Sequence, residues 1–101
     1  ITESRKIADM ANAFRVQYAP HNGSSSNIIM TVSLHLATYA PNFLIYEYMQ
    51  SDWNKQQPNP LRWELCQMPI KSFKDSYIEL EEKPGLGIEI NEEIVERYRL
   101  P

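Results

Sequence analysis

The chain has 101 residues and a formal net charge of −3, which is room for one small domain or a piece of a larger one. Its hydrophobic fraction of 43% and charged fraction of 23% fall in the globular range and exclude a disordered chain. The acidic balance leaves no basic footprint for nucleic acid, and runs such as Ile28-Ile29-Met30 fall far short of the ~20 apolar residues a membrane helix needs.

The chain opens at Ile1 with a helical pattern already under way, without an initiator Met or a secretory pattern; a piece of a longer protein is expected. Over residues 2–14, Ile7, Met10, Ala11 and Phe14 recur at steps of three and four, which predicts a helix with one apolar stripe. Thr2 or Ser4 is the expected cap, with Glu3 well placed against the helix dipole. Residues 15–19 read as a short strand stopped by Pro20. The small polar run from His21 to Ser26 reads as a turn in which a serine can cap the next helix. Ile28, Val32, Leu36 and Ala40 then stand at i, i+4 spacing and predict a second amphipathic helix, stopped by Pro41. Phe43-Leu44-Ile45-Tyr46 is a continuous apolar run, as expected of a strand buried on both faces.

Residues 51–68 mix Pro58, Pro60, Trp53 and Trp63 with polar residues, which predicts a packed, irregular loop. Cys66 is the sole cysteine; it excludes an internal disulfide and points to a reducing, cytoplasmic setting. Residues 77–80 alternate, Pro84-Gly85-Leu86-Gly87 reads as a turn, and residues 88–90 alternate again. Asn91 is the expected cap of a last helix through Arg99, with Glu92 and Glu93 in its first turn.

Helix, strand, helix, strand with short connections is the rhythm of parallel βα units. Two strands cannot close a barrel, which takes about 250 residues. Residues 1–50 therefore read as an α/β section of a larger layer, and residues 51–101 as a tail of loop, short hairpin-like strands and a final helix.

Three segments together resemble a known family. Ile1-Thr2-Glu3 leading into a helix resembles the end of the Gly-Gly-Ile-Thr-Glu segment of mandelate-racemase-like members of the enolase superfamily. Ala19-Pro20-His21-Asn22, and later Pro41-Asn42-Phe43-Leu44-Ile45-Tyr46-Glu47, are similar to their seventh and eighth barrel strands. Residues 83–93 resemble their C-terminal signature. The resemblance spans nearly the whole chain. It implies the C-terminal section of a (β/α)8 TIM-like barrel (sixth helix, seventh strand, seventh helix, eighth strand), with the tail returning towards a capping domain.

Among the branches of that superfamily, the resemblance points to the acid-sugar dehydratases, Mg²⁺-dependent hydro-lyases that turn a sugar acid into its 2-keto-3-deoxy acid. Their chemistry begins with loss of the proton α to a carboxylate, the enediolate being stabilised by Mg²⁺, and ends with departure of the β-hydroxyl. His21 matches the family's proton-transfer histidine, and histidine suits that work because it exchanges protons near neutrality. Glu47 matches the glutamate at the end of the eighth strand, which would meet the substrate carboxylate and, if protonated, donate a hydrogen bond to the enediolate. The aspartate that the family pairs with the histidine, the metal ligands and the opposing base all belong to strands before Ile1; no metal ligand is expected in this chain. A homo-oligomer is expected, as is common in the family. One departure is Asp75-Ser76-Tyr77, where the family usually shows Asp-Gly-Tyr.

Beside these stand plainer readings. Asn22 and Ser24 lead into a helix N-terminus that could meet a substrate carboxylate or hydroxyl, or could simply cap the helix. His35, between Leu34 and Leu36, reads as a satisfied packing histidine. Trp53 and Trp63 read as packing residues, Cys66 as inert, and Glu79, Glu81 and Glu82 as a solvated face. The rival functions are a racemase or epimerase of the same superfamily, and a non-catalytic fragment that only completes a partner's barrel. Nothing in the sequence names the sugar acid.

Overall fold

The computed structural model describes residues 1–22, 25–48 and 61–101, the side chains of Arg62 and Trp63 excepted. The element order is α1 (Thr2–Ala13), α2 (Asn27–Tyr39), α3 (Leu61–Glu64), β1 (Ile70–Lys74), β2 (Tyr77–Leu80) and α4 (Glu92–Arg97).

Helix α1 has the predicted extent, but its cap position falls on Ile1 and no side chain caps it, in place of Thr2 or Ser4. It ends on a backbone device. Arg15 takes a left-handed φ of 57°, Val16 N–H donates to Ala11 O at 2.8 Å and Arg15 N–H to Asn12 O at 2.9 Å. These two bonds are the Schellman pair that satisfies the last helix carbonyls. Arg15 thus closes the helix and does not start a strand. The predicted apolar stripe is present yet uncovered: Ile7, Met10 and Phe14 are all exposed, and Ala8, at 1% exposure, is the helix's buried residue.

Helix α2 spans the predicted residues and carries most of the core. Its N-cap position is Ser26, whose side chain makes no capping bond. Met30, Thr31, Leu34, Leu36 and Ala37 are buried, while Ile28 and Val32 of the expected stripe are only partly so. The helix is apolar nearly all round, so spacing alone could not pick the face that its neighbours would cover. Ala40 ends it in an extended conformation, as the residue before Pro41 must.

Side-chain bonds fasten the other segments to α2. Tyr39 donates to Asp9 of α1 at 2.9 Å, with the Arg5 guanidinium 5.5 Å from the Tyr39 ring centre. Asn27 Nδ2 donates to Cys66 O at 2.8 Å. His35 Nε2 donates to Leu86 O at 3.2 Å, so this histidine is a satisfied packing residue, as its sequence context predicts. Cys66 is buried, and burial pushes its thiol pKa up, which suits an inert side chain.

The predicted strands near residues 15–19 and 43–46 meet as a single parallel bridge, Tyr18 to Phe43. Its bonds are Tyr18 N–H to Asn42 O at 2.8 Å and Leu44 N–H to Tyr18 O at 2.9 Å. Parallel order is as expected, but the run is not buried on both faces: Phe43, Leu44 and Ile45 are 39%, 54% and 63% exposed. Among the described residues, one neighbouring segment pairs with it, and a strand needs two neighbours and two covering layers to be fully buried.

The tail is built from local devices. Strands β1 and β2 form an antiparallel hairpin in which Lys74 faces Tyr77, leaving Asp75 and Ser76 as a two-residue turn with φ of 51° and 65°. Both values lie in the left-handed region that such turns demand, so Ser76 sits where a glycine would be easier. Glu79 holds Lys71 at 2.6 Å and accepts from Ser72 Oγ at 3.0 Å, and these bonds lower its pKa. Residues 88–90 contribute only the bridge of Ile90 to Cys66. Asn91 caps α4 as expected, its side chain accepting from Ile94 N–H at 3.3 Å. Helix α3 falls within the stretch expected to be loop, and Trp53 lies outside the described residues. No helix among the described residues is long and apolar enough to cross a membrane.

Candidate functional site

Beyond the Tyr18–Phe43 bridge, the next regular parallel bond would run from residue 20 N–H to Leu44 O. Proline has no N–H to give. The pairing slips there by one residue: Pro20 O accepts from Glu47 N–H at 3.4 Å, where an unbroken ladder would have used Tyr46. Such a one-residue offset re-aims every later side chain on the longer segment. In an unbroken register Glu47 would lie level with Asn22; the offset brings it level with His21.

The burial pattern reflects that slip. Pro20 and Asn22 are buried while His21 between them is exposed. Tyr46 and Tyr48 are partly buried, with Glu47 exposed between them. His21 and Glu47 thus share the open side, where His21 Nδ1 and Glu47 Oε2 are hydrogen-bonded. The side chains are 74% and 49% exposed. The contact uses one ring nitrogen and one carboxylate oxygen, which leaves His21 Nε2 and Glu47 Oε1 for a ligand. A histidine with one nitrogen held by a carboxylate has its tautomer and orientation set, as a proton-transfer residue requires.

The buried side is a polar network. Asn22 is 2% exposed; its Nδ2 donates to the Tyr46 hydroxyl at 3.3 Å, and its Oδ1 accepts from Ser25 Oγ. Burial, opposed by the Asn22 bond and by nearby Ser33 of α2, pushes the Tyr46 pKa up. Tyr48 goes higher, to about 12, through burial and then the neighbouring Tyr46, and its ring lies against Phe73 of β1 with centres 5.2 Å apart. Asn22, expected from its sequence context to meet substrate, therefore has both ends of its amide engaged within the fold. Ser24 lies outside the described residues. An apolar cleft of about 870 Å³ runs between the end of α2, residues 43–48 and the hairpin, but neither His21 nor Glu47 lines it.

The donor set does not amount to a divalent-cation site. Mg²⁺ asks for near-octahedral oxygen ligands, and no group of three or more His, Cys, Asp or Glu side chains converges among the described residues. What this chain offers is a hydrogen-bonded histidine–carboxylate pair.

Sequence reasoning singles out His21 and Glu47 but does not foresee their contact. It misses Tyr46 altogether, and it reads Pro20 only as a strand stop. The available signal is the missing Pro20 donor.

The chain is similar to known proteins over nearly its whole length. The chain is 33% identical over 99 residues to a D-galactonate dehydratase family member of Marinomonas sp. strain MWYL1, a match spanning 97% of this chain and 23% of that protein. It is 30% identical over 99 residues to a D-mannonate dehydratase of Novosphingobium aromaticivorans, again over 97% of this chain and 23% of the relative. The chain thus spans about a quarter of the length of these curated relatives. Among solved structures, it is similar to a mandelate racemase/muconate lactonizing enzyme from Jannaschia sp. CCS1, with a TM-score of 0.73 and 28% identity over 100% of this chain and 24% of that one. It is also similar to an enolase of the mandelate racemase subgroup from Agrobacterium tumefaciens, with a TM-score of 0.74 and 29% identity over 96% and 24%. The sequence pattern of the Enolase C-terminal domain-like family matches residues 1–94, taking in His21, Glu47 and both segments that carry them, and the chain belongs to that family.

Proposed function

We propose that this chain is the C-terminal barrel section of an acid-sugar dehydratase, contributing the barrel's sixth helix, seventh strand, seventh helix and eighth strand in residues 1–50 and a tail in residues 51–101 that returns to the capping domain. The observation that carries the reading is the His21–Glu47 pair, set side by side at the ends of two parallel segments. The C-terminal ends of barrel strands are where such enzymes place their chemistry. The dehydratase names of the relatives support the reaction class.

In this reading the substrate is a sugar acid, losing its α-proton and its β-hydroxyl as water to give a 2-keto-3-deoxy acid. His21 Nε2 carries the transferred proton. Glu47 holds Nδ1 through Oε2 and turns Oε1 to the substrate's carboxylate end. The Mg²⁺ that the family reading calls for, and the opposing base, belong to the rest of the enzyme. That larger part is the chain's partner, in an assembly we take to be homo-oligomeric and cytoplasmic.

The test is His21→Asn in the full-length enzyme, assayed with Mg²⁺ across a panel of aldonates including galactonate and mannonate. General acid–base catalysis contributes on the order of 10²- to 10⁴-fold, and turnover should fall by that much with metal binding unchanged. Near-normal turnover would remove His21 from the mechanism. Glu47→Gln should cost less, since its amide can still make one of the two contacts. The racemase or epimerase reading rests on the mandelate racemase relatives. Loss of optical rotation without any 2-keto product would favour it.

A further inference from the structure

The spacing of the His21–Glu47 pair is governed from the buried side. Asn22 follows His21 in the chain and Tyr46 precedes Glu47, so the 3.3 Å bond from Asn22 Nδ2 to the Tyr46 hydroxyl joins the backbone directly behind each member of the pair. Ser25 braces Asn22. With Pro20 giving no N–H, the backbone itself makes one bond between these segments past the bridge, Glu47 N–H to Pro20 O at a long 3.4 Å.

Resting on the proposed proton-transfer role of His21, we infer that Asn22 and Tyr46 are positioning residues: their part-buried hydrogen bond replaces the ladder that Pro20 interrupts and holds His21 in register with Glu47. Asn22 touches no substrate in this arrangement. The hydroxyl of Tyr46 is protonated at neutral pH, as a tyrosine ordinarily is, and so it can donate as well as accept. Proton transfer is sensitive to such control, since a displacement of about 1 Å can cost on the order of 100-fold in rate.

The experiment uses the full-length enzyme and the dehydratase assay, with His21→Asn as reference. Tyr46→Phe removes the hydroxyl and keeps the ring. It should lower kcat by about tenfold or more while KM for the sugar acid stays within about twofold, the split expected when geometry and not binding is lost. Asn22→Ala should reproduce that split. Asn22→Asp should restore most of the rate, because its carboxylate can accept from the Tyr46 hydroxyl, the same tie with the direction of donation reversed. Unchanged kcat in Tyr46→Phe, or a thermal destabilisation without the kcat loss, would overturn the inference. So would a raised KM at constant kcat in Asn22→Ala, which would return Asn22 to substrate contact. If Tyr46→Phe does not fold, the Asn22→Ala and Asn22→Asp pair decides the matter. Should His21→Asn retain turnover, the function reading itself fails; should only the Tyr46 and Asn22 variants retain it, the positioning role alone falls.

Discussion

Residues 1–48 hold their geometry through bonds between groups far apart in sequence, whereas residues 61–101 rely largely on turns and caps written into neighbouring residues. In the first region Asn42 Nδ2 reaches Ala8 O at 3.2 Å and Val16 O at 2.8 Å, and the catalytic candidates meet across 26 positions. In the second, a two-residue turn closes the hairpin, Gly85 and Gly87 take left-handed φ values of 65° and 70°, and Asn91 caps its own helix. The difference matters for function. A site assembled from distant segments depends on every tie between them, while a locally built tail can lose one device without disturbing the site.

That contrast can be broken or sharpened by substitution in the full-length protein. The largest stability effect is expected at Gly87. A Cβ there would stand 2.9 Å from Pro69 Cβ and 3.2 Å from Lys83 Cβ, on backbone already at φ +70°. Gly87→Ala should cost about 3 kcal/mol, from left-handed strain and overpacking together, read as a shift of the urea midpoint. A cost below about 1 kcal/mol would show that the turn yields easily. Asn42→Ala should come next. It deletes two bonds to backbone carbonyls, while its Oδ1 has no partner among the described residues, so a net loss of about 2 kcal/mol is expected. It should also lower turnover, because Asn42 borders the Tyr18 bridge. Asn91→Ala should cost about 1 kcal/mol through the lost cap and leave turnover unchanged. If the last two variants affected activity alike, the distinction between the regions would not hold. The smallest effect is a gain: Ser76→Gly should stabilise the hairpin by up to about 1 kcal/mol, since the turn's φ of 65° suits glycine better than serine.

The elements written in local chemistry were legible. The extent of α2 is set by an apolar stretch that ends before Pro41, and Asn91 with two following glutamates marks the start of α4. The strained Asp75-Ser76 turn was pointed to only by the resemblance, whose family usually has glycine where Ser76 stands. Faces were harder. The Ile7, Met10, Phe14 stripe of α1 is real as a pattern, yet it remains exposed, because periodicity says which side is apolar and not whether anything packs there. Likewise the run at residues 43–46 has the composition of a buried strand but, among the described residues, lacks the second neighbour that would bury it.

The sequence by itself determined helices α1, α2 and α4 and the Asn91 cap, since each rests on residue types at short spacing, while the resemblance to a known family singled out His21 and Glu47. Only the tertiary structure decided that these two side chains meet. Their alignment depends on the absent N–H of Pro20, on the one-residue slip beyond it, and on a part-buried asparagine–tyrosine bond across 24 positions. Such register is set by the hydrogen bonds of two segments taken together, and neither segment alone contains it.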